Sequence, residues 1–224
     1  MLLCSYVHMF NLKFIIETFS PFYVNNYPFA IMVWNIFLAI LPFFIFLIFA
    51  AYWRQTKFKK TKHKIFAAIV FLFWLIFLPN AAYLIADIRH LMDYCPENSP
   101  LNVCVSGAWE IMFFFVYSSF GWIFFVLYLN QMRALLAKIF DQRTAKIITL
   151  AIIPLVALGV LYGLTERYNS WDFFAQPLAI FQNLLRYITS WQYFRNWLVF
   201  TAGYYVLYFF GTVIFKTKLA KGGN

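Results

Sequence analysis

The sequence predicts an all-α protein: a polytopic transmembrane helical bundle of five spans, with one amphipathic helix at the interface. Three observations predict it. Apolar residues make up 64% of the 224 and charged residues only 12%, against about 45–50% and about 25% in soluble domains. The apolar residues gather in five runs, each near the roughly 20 residues that cross a bilayer. The charges are sorted by connection rather than scattered. Aromatics alone are 24%, with 30 Phe. A folded core cannot hide that much apolar surface in a chain of this length, so most of its solvent is lipid. Residues 1–224 read as a single integral membrane domain.

The runs extend from Phe29 to Trp53, Ile65 to about Ala86, Ile111 to Leu129, Ile147 to Leu164 and Trp197 to Phe215. The first twenty residues are apolar but broken by His8, Asn11, Lys13 and Glu17, and read as an interfacial helix or a sixth span. They lack the basic start and small-residue cleavage site of a secretory signal. Trp53, Trp109, Trp171, Trp191 and Trp197 fall at or near span ends, where interfacial tryptophan is expected.

The net charge of +10 does not point to nucleic acid, because the charge follows the topology. Arg54, Lys57, Lys59, Lys60, Lys62 and Lys64 lie between spans one and two. Arg133, Lys138, Arg143 and Lys146 lie between spans three and four, and Lys216, Lys218 and Lys221 follow span five. Thirteen of the 18 basic residues thus sit on alternate connections. The other connections hold or border seven of the eight acids: Glu17, Asp87, Asp93, Glu97, Glu110, Glu166 and Asp172. Basic connections stay cytoplasmic, so the expected location is the cell membrane, with the acidic end extracytoplasmic. The lipid bilayer is the expected partner.

Span two carries an anomaly, "FLFWLIFLPNAAYLIADIRHL" at residues 71–91. Counting from Lys64, Asp87 lies roughly 34 Å along a helix, at the outer interface, and Asn80 about 10 Å deeper. Asn80, Tyr83, Asp87 and His90 are spaced by 3, 4 and 3, which puts all four on one helical stripe. Leu78, Ala82, Ile85 and Ala86 occupy the other side, fit for lipid or other helices. Pro79 frees the carbonyl of Leu75, which Asn80 is placed to satisfy locally. The sharper alternative is a kink that opens a polar recess. Pro42 and Pro154 are candidate bends in two other spans.

Span four ends at the same level with "GLTERYNSWDFF", residues 163–174, bearing Glu166, Arg167, Asn169, Ser170, Trp171 and Asp172. Span three starts there with Glu110. If these ends meet, Arg167 is the natural fork for Asp87 or Glu110. From Pro177 on, Leu178, Phe181, Leu184, Leu185, Ile188 and Trp191 form an apolar face opposite Gln182, Arg186 and Thr189. That pattern reads as a helix flat on the outer interface, either a lid on the polar level or a filler between spans. Cys95 and Cys104 fall on the outer side, where a disulfide between them can form.

"LPNAAYLIADIRHL" resembles the signature of a family of bacterial multi-pass membrane proteins of unknown function, domain of unknown function 1361. Its members show Leu-Pro-Asn-Ala-Pro-Tyr, then Thr-Asp, then His-Leu. The likeness falls on Leu78, Pro79, Asn80, Ala81, Tyr83, Asp87, His90 and Leu91, with Ala82 and Ala86 departing from it. A second match covers Gly163, Arg167, Asn169, Ser170, Trp171 and Asp172, with Leu164 where an arginine often stands. A third is "NIFLAILP" at residues 35–42. The resemblance implies a multi-pass fold from about residue 30 onward and no particular activity.

Several functions fit part of this residue set. Asp87, His90 and Asp172 are compatible with a metal, but no His-x-x-x-His or cysteine cluster supports one, so neither metal nor cofactor is expected. Asp87 beside His90, with Arg167 on an anionic group, would suit a hydrolase or transferase, yet no nucleophile elbow, Walker loop or zincin motif is present. The broken span is a feature of small-solute transporters, but the spans are odd in number and the polar level lies near one face. The preferred expectation is a binding or assembly protein. Its outer site would use Asn80, Tyr83, Asp87, His90, Glu110, Glu166, Arg167, Asn169 and Asp172 for a ligand, a lipid head group or a membrane-protein partner. Asn80 and Asn169 would hydrogen-bond the ligand, Arg167 would contact an anion, and Asp87, His90 and Asp172 would orient it or exchange a proton.

Overall fold

The structure is a computed structural model. It describes residues 22–24, 27–93 and 108–219, with the backbone alone at 91–93 and 216–219. The first twenty residues and the Cys95–Cys104 pair lie outside the described residues. A short antiparallel hairpin comes first, β1 (Tyr23–Val24) and β2 (Tyr27–Pro28). The helices are α1 (Phe29–Thr56), α2 (Thr61–Phe77), α3 (Pro79–Ala86), α4 (Ala108–Ile139), α5 (Gln142–Leu161), α6 (Asp172–Ala175), α7 (Pro177–Thr189) and α8 (Trp191–Leu219). A 3₁₀ segment, Asp87–Asp93, continues α3, and a π-helical turn, Tyr162–Glu166, continues α5.

Five stretches are long and apolar enough to cross a membrane: Phe29–Thr56, Thr61–His90, Ala108–Ile139, Gln142–Glu166 and Trp191–Phe215. The predicted all-α helical bundle of a multi-pass membrane protein is the fold observed. The spans are apolar on all sides, as membrane helices are. Their outward faces carry residues such as Phe44, Val199 and Val206, each more than half exposed.

The helices overrun the predicted spans at the basic end. α4 has 32 residues, roughly 48 Å, against a hydrocarbon core of about 30 Å. Arg133 and Lys138 therefore ride on its last turns rather than in a connection. The link from α1 to α2 shrinks to Lys57–Lys60, with Lys57 and Phe58 in the left-handed region at φ 45° and 50°. Asp141 caps α5, accepting from the backbone N–H groups of Arg143 and Thr144. Those bonds and the Thr144 hydroxyl hold its carboxyl below the usual range.

α3 occupies the middle of the bundle. Leu78, Ala81, Ala82 and Leu84 have no exposed surface, so the side opposite the polar stripe meets helices rather than lipid. Close approach explains this. A Cβ on Gly121 of α4 would lie 2.6 Å from Leu84 Cβ and 2.8 Å from the Ala81 carbonyl oxygen. A Cβ on Gly159 would lie 2.6 Å from the Pro79 ring, and one on Gly163 would lie 2.9 Å from the Tyr83 ring. The two glycines, four apart, thus seat two α3 residues that are also four apart, the small-xxx-small packing of membrane helices. From α8, Tyr204 donates to the Ala82 carbonyl at 3.2 Å.

α8 starts at Trp191 rather than Trp197. Trp197 is no interfacial anchor: it donates to the Pro154 carbonyl at 2.9 Å. α7 has three faces. Asn183 and Tyr187 are buried against the protein, Leu178, Phe181, Leu185 and Ile188 point outward, and Gln182, Arg186 and Thr189 form the exposed polar side. That division suits a helix lying at an interface. Its polar contacts go to Tyr162, Thr165 and Tyr168, at the end of α5.

Candidate functional site

The polar residues of the hairpin end fall into two groups. The first surrounds the break in span two. Pro79 has no N–H, and the helix turns over at Leu78, where Ala81 bonds the Leu78 carbonyl at 3.1 Å. Two upstream carbonyls are thereby left to side chains. Asn80 Nδ2 donates to the Phe77 carbonyl at 2.9 Å and to Ser170 Oγ at 2.9 Å. Ser170 Oγ donates in turn to the Ile76 carbonyl at 3.0 Å. The sequence predicts repair by Asn80 alone at Leu75. The break is instead repaired jointly by Asn80 and by a serine 90 positions away, and the accepting groups are Ile76 and Phe77.

Ser170 is held by its own turn. Asp172 accepts from the Asn169 backbone N–H at 2.7 Å and from its amide at 3.4 Å. Asn169 and Asp172 thus bond each other across the turn that presents Ser170. Arg167 stands in the left-handed region at φ 60° and is exposed. Glu166 ends the π-turn, half-buried.

The second group surrounds Asp87, which has no exposed surface. Its Oδ2 accepts from Asn35 Nδ2 at 3.3 Å, Tyr117 OH at 3.3 Å and Tyr27 OH at 3.5 Å. Asn35 also donates to Tyr27 OH at 2.8 Å. The donors come from β2, α1 and α4. His90 Nε2 lies 3.9 Å from Asp87 Oδ1, an oxygen with no hydrogen-bond partner among the described residues. The Tyr27 ring stacks on His90, centroids 4.0 Å apart and planes 13° from parallel, and Phe114 lies beyond at 6.0 Å. Burial and the adjacent Asp87 raise the Tyr27 hydroxyl well above the ordinary phenol range, so it remains a donor.

The expected arginine fork does not form. Among the described residues no hydrogen bond or ion pair links Arg167 to Asp87 or to Glu110. Glu110 is largely buried in the first turn of α4, where the helix dipole favours a carboxylate. Arg89 donates to Tyr83 OH at 3.2 Å. The structure thus joins Asp87 with His90, and Asn80 with the Asn169–Asp172 turn, but as separate clusters. Tyr27, Asn35, Tyr117 and Ser170 belong to these clusters without having been expected there. Asn35 and Ser170 do lie within the motif matches. Tyr27 and Tyr117 carry no local signal beyond being polar aromatics near span ends.

A comparison with family models matches residues 34–210 to a family described as protein of unknown function, DUF1361. The match includes Asn35, both outer motifs, three of the five spans entire and most of the other two. No curated protein and no solved structure matches the chain. The chain belongs to the DUF1361 family.

Proposed function

We propose that this member of the family is a membrane-embedded binding protein whose site is the Asp87 cluster, closed by the Tyr27 hairpin. In this reading the basic connections lie in the cytoplasm and the site opens to the extracytoplasmic side of the cell membrane. The sorting of lysine and arginine supports that orientation. One observation carries the proposal. Asp87 is fully buried at a span end, its hydrogen bonds among the described residues come from neutral donors, the His90 imidazole lies 3.9 Å away, and the Arg89 guanidinium acts on it only through space. A carboxylate in such a place is costly, and intramembrane ionisable groups usually mark function.

The chemistry around it favours a cationic group. Asp87 Oδ1 offers an acceptor, and Tyr27, His90, Tyr117 and Phe114 offer aromatic surface, the combination that attracts an ammonium. Tyr27 is buried against the bundle on a two-residue strand that precedes the first span, so in this reading swinging the hairpin away uncovers Asp87 and His90 without moving a span. The Asn80–Ser170 cluster fixes the broken helix that carries them. A solute path to the other end is disfavoured by Trp74, Phe125, Leu129, Met132 and Ile153, all essentially without exposed surface.

The test is thermal unfolding of the purified protein in micelles with ethylamine, ethanolamine and choline as probes. At least one should raise the midpoint, because a ligand that binds only the folded state stabilises it. Asp87→Asn should abolish that rise while keeping the fold. If none of the three moves the wild-type midpoint, the binding reading falls and Asp87 serves only to tie β2, α1 and α4 together.

A further inference from the structure

A second feature lies at the opposite, basic end. α1 and α4 flank a groove of about 370 Å³ there. Its walls are mainly apolar, formed by Leu47, Ala50, Trp53 and Ala134 with the amide of Gln131 among them, and its rim carries Arg54 and Lys138. The two alanines face the groove where larger side chains would close it. An apolar floor under a cationic rim has a simple physical match, a molecule with a hydrocarbon chain and a negative head.

Charge complementarity identifies the head. Arg54 and Lys138 are exposed, and neither forms an ion pair within the described residues. Arg133, Arg143, Lys146 and the lysines of the α1–α2 link lie at the same end of the bundle. The one acid at this end among the described residues, Asp141, is committed to capping α5. Lys57 lies over the Trp53 ring at 3.8 Å, so it adds positive charge beside the groove. Basic recesses between spans hold anionic head groups, and arginine in particular matches a phosphate.

We propose that the α1–α4 groove is a binding site for an anionic diacyl phospholipid. One acyl chain lies along Leu47, Ala50 and Ala134, and the phosphate sits between Arg54 and Lys138. The inference is independent of the Asp87 site. A lipid here would wedge α1 and α4 apart at one end while the Asp87 cluster ties them together at the other.

Native mass spectrometry with an equimolar mixture of phosphatidylglycerol and phosphatidylcholine tests this. Wild type should retain phosphatidylglycerol with about thirtyfold preference, as two cations near one head group at about 1 kcal/mol each predict. Arg54→Gln with Lys138→Gln should bring the ratio close to parity. Lys59→Gln with Lys60→Gln, an exposed pair outside the groove, should leave it near the wild-type value. Ala134→Trp keeps every charge but fills the groove, and should cut retention of both lipids. The proposal is overturned if wild type shows no preference, if the Lys59 and Lys60 pair matters as much as the rim pair, or if Ala134→Trp retains lipid unchanged. Displacement by glycerol phosphate as effective as displacement by lipid would likewise assign the rim to a free phosphate and overturn it.

Discussion

Pro79 and Pro154 each remove a backbone donor from the middle of a span, and the consequences differ. At Pro154 the helix runs on: α5 continues from Gln142 to Leu161. At Pro79 it divides into α2 and α3. The difference lies in the neighbours. The carbonyl freed by Pro154, that of Leu150, accepts from the Tyr205 hydroxyl of α8 at 2.9 Å, a single bond to an otherwise regular helix. At Pro79 two carbonyls turn to a polar pair, Asn80 and Ser170, and a glycine lets the proline ring pack against α5. A proline alone bends a span. A proline with an amide after it, a serine opposite and a glycine behind it breaks the span and holds the break, because lipid offers the freed groups no water.

The largest effect expected on this contrast comes from the seat of the break. Gly159→Val would push a side chain into the Pro79 ring, which an added Cβ already meets at 2.6 Å. We expect a loss of about 3 kcal/mol, the upper range for overpacking a well-filled site. Reversible unfolding in mixed micelles measures it. A loss under about 1 kcal/mol would mean that the proline is not held against α5, and the comparison with Pro154 would lose its steric half.

The polar half is sharpened by Ser170→Ala and Asn80→Ala, singly and together. Each single change leaves a backbone carbonyl without its partner and should cost about 2 kcal/mol, within the range for orphaned buried groups and membrane hydrogen bonds. The two side chains bond each other, so the double variant should cost less than the sum. Strict additivity would show that they repair the helix independently.

Much of this end of the molecule was legible because it is written along one helix. The 3, 4, 3 spacing put Asn80, Tyr83, Asp87 and His90 on a stripe, and charge sorting put the second motif at the same end. The pairing across spans was not legible. Spacing along one chain says nothing about how the turn after span four folds, and that turn presents Ser170 rather than Arg167 to span two. Arg167 looked like the partner of Asp87 on charge alone. The structure instead gives Asp87 two tyrosines and an asparagine from three segments, since neutral donors can satisfy a carboxylate without burying a second charge. One cross-span contact does leave a trace in the sequence: Gly159 and Gly163 stand four apart, and small residues at that interval mark a close helix contact.

The smallest expected effect is at Pro154. Tyr205→Phe keeps the ring and removes only the hydroxyl that reaches the Leu150 carbonyl. The helix is continuous there, and the freed carbonyl can share a neighbouring N–H, so the loss should be about 0.6 kcal/mol, the mean found for hydrogen bonds between membrane helices. The same micelle unfolding assay reads it against Ser170→Ala. The order matters more than the size. If Tyr205→Phe cost as much as Ser170→Ala, a continuous helix would depend on its borrowed donor as strongly as a broken one. Polar repair would then not be what distinguishes the two prolines, leaving the packing of Pro79 on Gly159 as the whole cause of the break.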